Sequence, residues 1–168
     1  MANERPGAAT GAPAARPSLL VVDDDPLITD SLAFALGAEY TVHACESREH
    51  AITLLRQLGA PPPLALVDLG LPPAPHSPQE GFRLIGDLLA HSPRMKIFVL
   101  SGQNDAANAR HARALGAWEF VAKPADPASL ARLLARGLEL PAAEDQEFVG
   151  ASPALAKLKS QVAQFRLK

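Results

Sequence analysis

Three short apolar runs constrain this chain more than any other feature. Residues 19–22 (LLVV), 64–67 (LALV) and 97–100 (IFVL) carry no polar alternation. A strand with one wet face alternates polar with apolar side chains. A run that is apolar at every position suits a strand covered on both faces. Residues 40–45 and 119–122 predict two weaker strands. Helical spacing fills the gaps. Leu27, Leu32 and Leu36 follow the first run. Ala51, Leu54, Leu55 and Leu58 form a second stripe behind Ser47, a plausible N-cap. Phe82, Leu84, Ile85, Leu88 and Leu89 form a third. Residues 104–115 are Ala-rich and predict a fourth helix. Leu130, Leu133, Leu134 and Leu138 form a fifth, entered through Asp126-Pro127. Five strands alternating with five helices imply an α/β fold, a parallel sheet wrapped by helices.

With 168 residues, one domain with tails is expected, large enough to bury a core without staples. Residues 1–17 are mostly Ala, Gly and Pro and read as a disordered leader. The globular part then runs over 18–140. Pro141 ends the fifth helix, an acidic linker follows, and Ser152-Pro153 opens a basic amphipathic stretch to residue 168. Residues 141–168 therefore read as a linker and the start of a truncated output domain. The single cysteine, Cys45, excludes an internal disulfide framework and a Cys-based zinc site. A net charge of −2 does not favour nucleic-acid binding. The apolar runs are too short to span a membrane. No secretory pattern opens the chain, so a cytoplasmic location is expected.

In an open parallel sheet, ligands bind beyond the carboxyl ends of the strands. There the first strand runs into Asp23, Asp24 and Asp25, and the third into Asp68. The fourth leads to Ser101-Gly102 and the fifth to Lys123-Pro124. Two or three carboxylates, a hydroxyl and an ammonium thus converge on one rim. Clustered carboxylates repel one another, and a hard cation such as Mg²⁺ relieves this. A carboxylate can attack phosphorus and become an aspartyl phosphate. A metal, a lysine and a hydroxyl can hold the charge spread over the phosphoryl oxygens. Each feature alone has a plainer reading: Asp23–Asp25 before Pro26 as a helix cap, Asp68 and Ser101-Gly102 as turns, Lys123 as a solvated surface lysine. Their conjunction, in fold order, carries the weight.

Residues 19–26 (LLVVDDDP), 66–72 (LVDLGLP), 98–102 (FVLSG) and 120–124 (FVAKP) resemble the marks of receiver domains of two-component response regulators. The resemblance covers residues 18–140. It implies a flavodoxin-like, doubly wound five-stranded sheet in the order 2-1-3-4-5 with five helices. It implies Asp68 as phosphoacceptor. Mg²⁺ would be held by Asp23, Asp24, Asp68 and the backbone carbonyl of Gly70, with Asp25 an extra acid. It makes Ser101 the switch hydroxyl, Lys123 the paired lysine and Phe120 the aromatic switch; core packing is the plainer reading of Phe120. A histidine kinase or phosphotransfer protein would be the partner. The face made by the fourth helix, fifth strand and fifth helix would serve a possible homodimer. Such a domain catalyses only its own phosphorylation and dephosphorylation, and so is not an enzyme in the ordinary sense.

One departure stands out. Residues 71–80 (LPPAPHSPQE) delay the glycine that opens the third helix, Gly81, and their four prolines limit flexibility. That loop resembles response regulators associated with exosortase (PEP-CTERM) sorting systems. Residues 148–154 (FVGASPA) resemble the opening of the ATPase domain in nitrogen-regulatory-type enhancer-binding activators. The chain has no G-x-x-x-x-G-K-[ST] loop, so ATP hydrolysis by that route is not expected, nor is direct DNA binding. Two other functions compete. One is a phosphate-independent interaction module. The other is a haloacid-dehalogenase-type phosphatase, for which Asp23 and Asp25 have the D-x-D spacing but Leu27 replaces the expected Thr or Val. The five histidines show no ligand spacing.

Overall fold

The computed structural model describes residues 15–102 and 106–140. Most of the expected leader, the expected linker and output segment, and the predicted start of the fourth helix at Asn104 lie outside the described residues. In chain order the elements are β1 (Ser18–Val22), α1 (Pro26–Leu36), β2 (Thr41–Cys45), α2 (Arg48–Gln57), β3 (Leu64–Val67), α3 (Gln79–His91), β4 (Lys96–Ser101), α4 (Ala106–Leu115), β5 (Glu119–Ala122) and α5 (Pro127–Glu139). The strands form one parallel sheet in the order β2-β1-β3-β4-β5, as the resemblance implied.

Alternation along the central strands builds two cores. Leu20, Val22, Ala65, Val67, Ile97 and Val99 face one side, where they meet Ala51 and Leu55 of α2, Leu84, Ile85 and Leu88 of α3, and Ala112 of α4. Leu19, Val21, Leu64, Leu66, Phe98 and Leu100 face the other, against Leu32 and Leu36 of α1 and Leu130 and Leu134 of α5. Each fully buried Val, Leu, Ile or Phe among them contributes about 1.5–3 kcal/mol. The double winding is thus why the three central runs are apolar at every position. The edge strands β2 and β5 are only partly buried, which is why their patterns are weaker.

Two helices begin with the same Asp-Pro device. Asp25 accepts from the Leu27 N–H and Asp126 from the Ser129 N–H, each at 3.0 Å, and proline follows at the first helical position. Ser47 caps α2 by accepting from the His50 N–H at 3.0 Å.

Three sequence expectations need correction. Leu27 is 76% exposed; it lies five residues from Leu32, about 140° around a helix that turns 100° per residue. The buried stripe of α1 is Thr29, Leu32 and Leu36. Leu58 lies beyond the end of α2 in extended backbone rather than on its stripe. Leu138 is 42% exposed, and Gly137 takes the buried position beside Leu134. At the other end of the domain, the Pro17 carbonyl, expected in the leader, accepts from the Thr41 N–H at 2.9 Å.

Gly81 seats α3 on the sheet. Its N–H donates to the Leu69 carbonyl at 3.1 Å. A Cβ there would lie 2.3 Å from Leu69 Cα, so no other residue fits without moving backbone.

Candidate functional site

Four strand ends deliver the site. The Asp23 N–H donates to the Cys45 carbonyl at 3.0 Å and the Asp68 N–H to the Val22 carbonyl at 2.9 Å. These bonds extend the sheet by one residue and draw the two aspartates together. Carboxylate oxygens of Asp23, Asp24 and Asp68 lie within 4.8 Å of one another. Asp23 and Asp68 are buried; Asp24 is exposed. Asp25 turns away to cap α1, and its own N–H donates to Asp23 Oδ1 at 3.0 Å. The acid without an assigned role therefore starts the helix and orients its neighbour. This also spends the second acid of the D-x-D spacing, which a dehalogenase-type phosphatase would need for proton transfer.

Lys123 enters from the far side. Its N–H donates to the Ser101 carbonyl at 2.9 Å, one step beyond the β4–β5 register. Its Nζ lies 2.8 Å from Asp23 Oδ2 and 3.6 Å from Asp68 Oδ1. The Lys123–Pro124 peptide is cis. Ser101 is buried at the end of β4. Among the described residues, a Cβ added at Gly102 would meet nothing within 4 Å. Phe120 pairs with Val99 in register and is half-buried against the core that holds α2, α3 and α4. That is the packing reading of Phe120.

Charges tune one another here. Burial first, and then the neighbouring Asp23, push the Asp68 carboxyl up to about 6. Lys123 and the Gly70 N–H, which donates to Asp68, oppose the rise. Burial alone would lower Lys123, but its pairing with Asp23 and Asp68 prevails and raises it. Asp23 Oδ2 is buried, and among the described residues its counter-charge is the Lys123 ammonium at 2.8 Å. Three clustered carboxylates facing a single ammonium carry excess negative charge and fit a hard divalent cation with oxygen ligands. Asp23, Asp24 and Asp68 would supply carboxylate oxygens; Gly70 is tied to the cluster through its N–H to Asp68.

This electrostatics gives a pH prediction. A carboxyl raised from 3.8 to about 6 makes the ionised folded state less stable. The penalty is absent below about pH 4, grows across the interval, and is complete above about pH 6. Asp68→Asn is expected to stabilise the metal-free protein above pH 6 by about 2–3 kcal/mol, fading towards pH 4. Urea unfolding of both proteins in chelator at pH 4 and pH 8 checks this. An equal gain at both pH values would contradict it.

Sequence reasoning missed two features. Arg48 bridges α2 to α3, Nε to Glu80 Oε2 at 2.9 Å and Nη1 to Asp87 Oδ2 at 2.7 Å. No local pattern announces a pair 32 or more residues apart. Lys96 is buried at the opposite end of the sheet. It donates to the Gly137 and Leu140 carbonyls at the end of α5 and lies 4.6 Å from the centre of the Trp118 ring. Burial lowers its pKa, while the carbonyls of the helix terminus hold its charge.

Comparison with known proteins agrees with the geometry. Residues 19–135 match the family described as the response regulator receiver domain. The transcriptional regulatory protein AruR of Pseudomonas aeruginosa is 35% identical over 118 residues, covering 68% of this chain and 46% of that protein. The response regulator protein PilR of the same organism is 29% identical over 154 residues, covering 88% of this chain and 33% of PilR. The chain thus spans less than half the length of these two relatives. The crystal structure of a CheY-like receiver domain protein from Methanospirillum hungatei superposes with a TM-score of 0.67 at 26% identity. That alignment covers 74% of this chain and 95% of that one.

Proposed function

This chain belongs to the response regulator receiver family, and from that premise we propose that it accepts a phosphoryl group on Asp68 and changes conformation to control an output. The single observation that carries the reading is the juxtaposition at one rim of Asp23, Asp24 and Asp68 with Lys123. Asp68 attacks phosphorus in line with a phosphohistidine of a histidine kinase or phosphotransfer protein. The new P–O bond forms as the P–N bond breaks, and the imidazole leaves with the electron pair. Mg²⁺ bound at the acidic cluster would neutralise charge on the phosphoryl oxygens. Lys123 is close enough to Asp68 to hold one oxygen of the attached group, and the Ser101 hydroxyl is proposed to hold another. Phe120 then swings inward as Ser101 engages the phosphoryl group, shifting the balance between two conformations. The face of α4, β5 and α5 is the surface remodelled, with a homodimer as one outcome.

AruR is described as a transcriptional regulatory protein, and a transcriptional output is proposed for the protein to which this receiver belongs. The PilR match covers more of the chain than residues 19–135 alone. That supports reading 141–168 as linker and the start of an output domain of the enhancer-binding type. The receiver itself turns over no external substrate. No helix among the described residues is long and apolar enough to cross a membrane, and a cytoplasmic site of action is proposed.

The test is intact mass after incubation with a small phosphodonor such as phosphoramidate. One phosphoryl group is expected with Mg²⁺ and none with excess chelator. A folded, Mg²⁺-binding chain that gains nothing would favour the phosphate-independent interaction module.

A further inference from the structure

The loop between β3 and α3 is folded against the site rather than looped out from it. Leu71, at its start, is fully buried in the core. Successive turns follow: the Ala74 N–H donates to the Leu71 carbonyl at 3.1 Å and the Ser77 N–H to the Ala74 carbonyl at 3.0 Å. The Pro75 carbonyl then comes back onto Gly70. A Cβ on Gly70 would lie 2.4 Å from Pro75 O, so the two backbones are in direct contact. Arg48 fixes the far end of the loop through Glu80, whose side chain is only 13% exposed, and through Asp87 one helical stretch on. The Gly70 N–H meanwhile donates to Asp68. One mechanical chain therefore runs from Arg48 through Glu80 and the 71–80 turns to the peptide groups of Gly70.

We propose that the 71–80 loop and Arg48 are positioning elements for the metal: they hold Gly70 so that its carbonyl completes the Asp23, Asp24 and Asp68 cluster. This rests on the receiver reading of the cluster. The loop is then a built part of the cation site, although none of its own side chains is a ligand. The energetic logic is preorganisation. Gly70 has no side chain to fix its own backbone, and glycine is the residue with most conformational freedom to lose. Contact with Pro75 on one side and the hydrogen bond to Asp68 on the other remove that freedom before the cation arrives. Groups that orient ligands without touching the metal typically matter by about 10–100-fold in affinity.

The loop tip can be removed without pulling its ends apart, because the Gly81 N–H already joins the Leu69 carbonyl across its base. The experiment is calorimetric titration of Mg²⁺ alone, with no phosphodonor, into wild type, Arg48→Ala and a chain lacking residues 73–77. Melting temperature is recorded for each. Loss of the tip is expected to weaken Mg²⁺ about tenfold, and Arg48→Ala about threefold or more. Gly70→Ala supplies the second arm. In the intact loop its Cβ meets Pro75, so affinity should fall. Weakened Mg²⁺ binding at an unchanged melting temperature in Arg48→Ala and in the shortened chain separates positioning of Gly70 from a merely structural role. Equal Mg²⁺ affinity in folded wild type, Arg48→Ala and the shortened chain would overturn the proposal. A wild type that binds no Mg²⁺ at all would instead remove the metal reading beneath it.

Discussion

Asp68→Ala is expected to take up no phosphoryl group under conditions where the wild-type chain takes up one. Of the three clustered carboxylates, Asp68 is buried at the end of a central strand and is paired with Lys123 only at 3.6 Å. Asp23 is held at both oxygens, by the Asp25 N–H on Oδ1 and by Lys123 on Oδ2. Asp24 is exposed to water. Asp68 has its proton affinity raised by burial and by Asp23, which makes its carboxylate the more basic attacking group once ionised. Above pH 6 it is ionised even without a metal. Lys123 at 3.6 Å stands where charge develops on the incoming phosphoryl group. Intact mass, followed by peptide mapping of the modified wild type, locates the group. Addition to the Asp68→Ala chain would place the nucleophile elsewhere. Addition at Asp23 would revive the phosphatase arrangement, although its second acid is occupied in capping α1.

Lys123→Met is expected to act twice, and the two effects separate. The first is on stability. Asp23 Oδ2 is buried, and among the described residues Lys123 is its partner. Removing the ammonium at 2.8 Å strands a buried negative charge beside a second carboxylate. Breaking a buried pair in this way costs about 3 kcal/mol or more, softened here because Lys123 keeps some solvent contact. The second effect is on chemistry. Loss of one preorganised charge aimed at a transferring group lowers the rate about 10²–10³-fold. Mg²⁺ distinguishes them. It compensates the same carboxylates, so it should restore most of the lost stability while leaving phosphoryl uptake slow. Urea unfolding with and without Mg²⁺, beside a time course of mass gain, reads both. A variant as fast as wild type would remove Lys123 from the reaction and leave it a structural counter-ion.

Much of this was legible in the residues. The three central runs predicted strands covered on both faces, and their alternating side chains do face two separate cores. The acids and the hydroxyl follow those runs and the lysine follows the weaker run at 119–122, so strand ends alone brought Asp68 and Lys123 to one rim. The Asp-Pro and Ser47 caps were also readable, since an N-cap needs only its own first turn. The stripe of α1 was not. Leu27 and Phe34 are large and apolar yet exposed at 76% and 91%. Composition identifies residues able to be buried, and only neighbouring elements decide which of them are.

The sequence by itself determined the parallel architecture, the order of the elements and the residue types on the rim of the candidate site. Those follow from local periodicity and from the rule that ligands meet the carboxyl ends of such strands. Tertiary structure decided how the three consecutive acids divide their labour. Asp23 goes to Lys123, Asp24 to solvent and Asp25 to the helix. Tertiary structure also decided that the proline-rich loop returns onto Gly70, and that Arg48 at the start of α2 pairs with Glu80 and Asp87 of α3. The physical reason is range. Periodicity and capping act over a few residues, and the sequence displays them. Charge pairing and backbone contact between distant residues depend on where packing leaves each atom, and no local pattern encodes that.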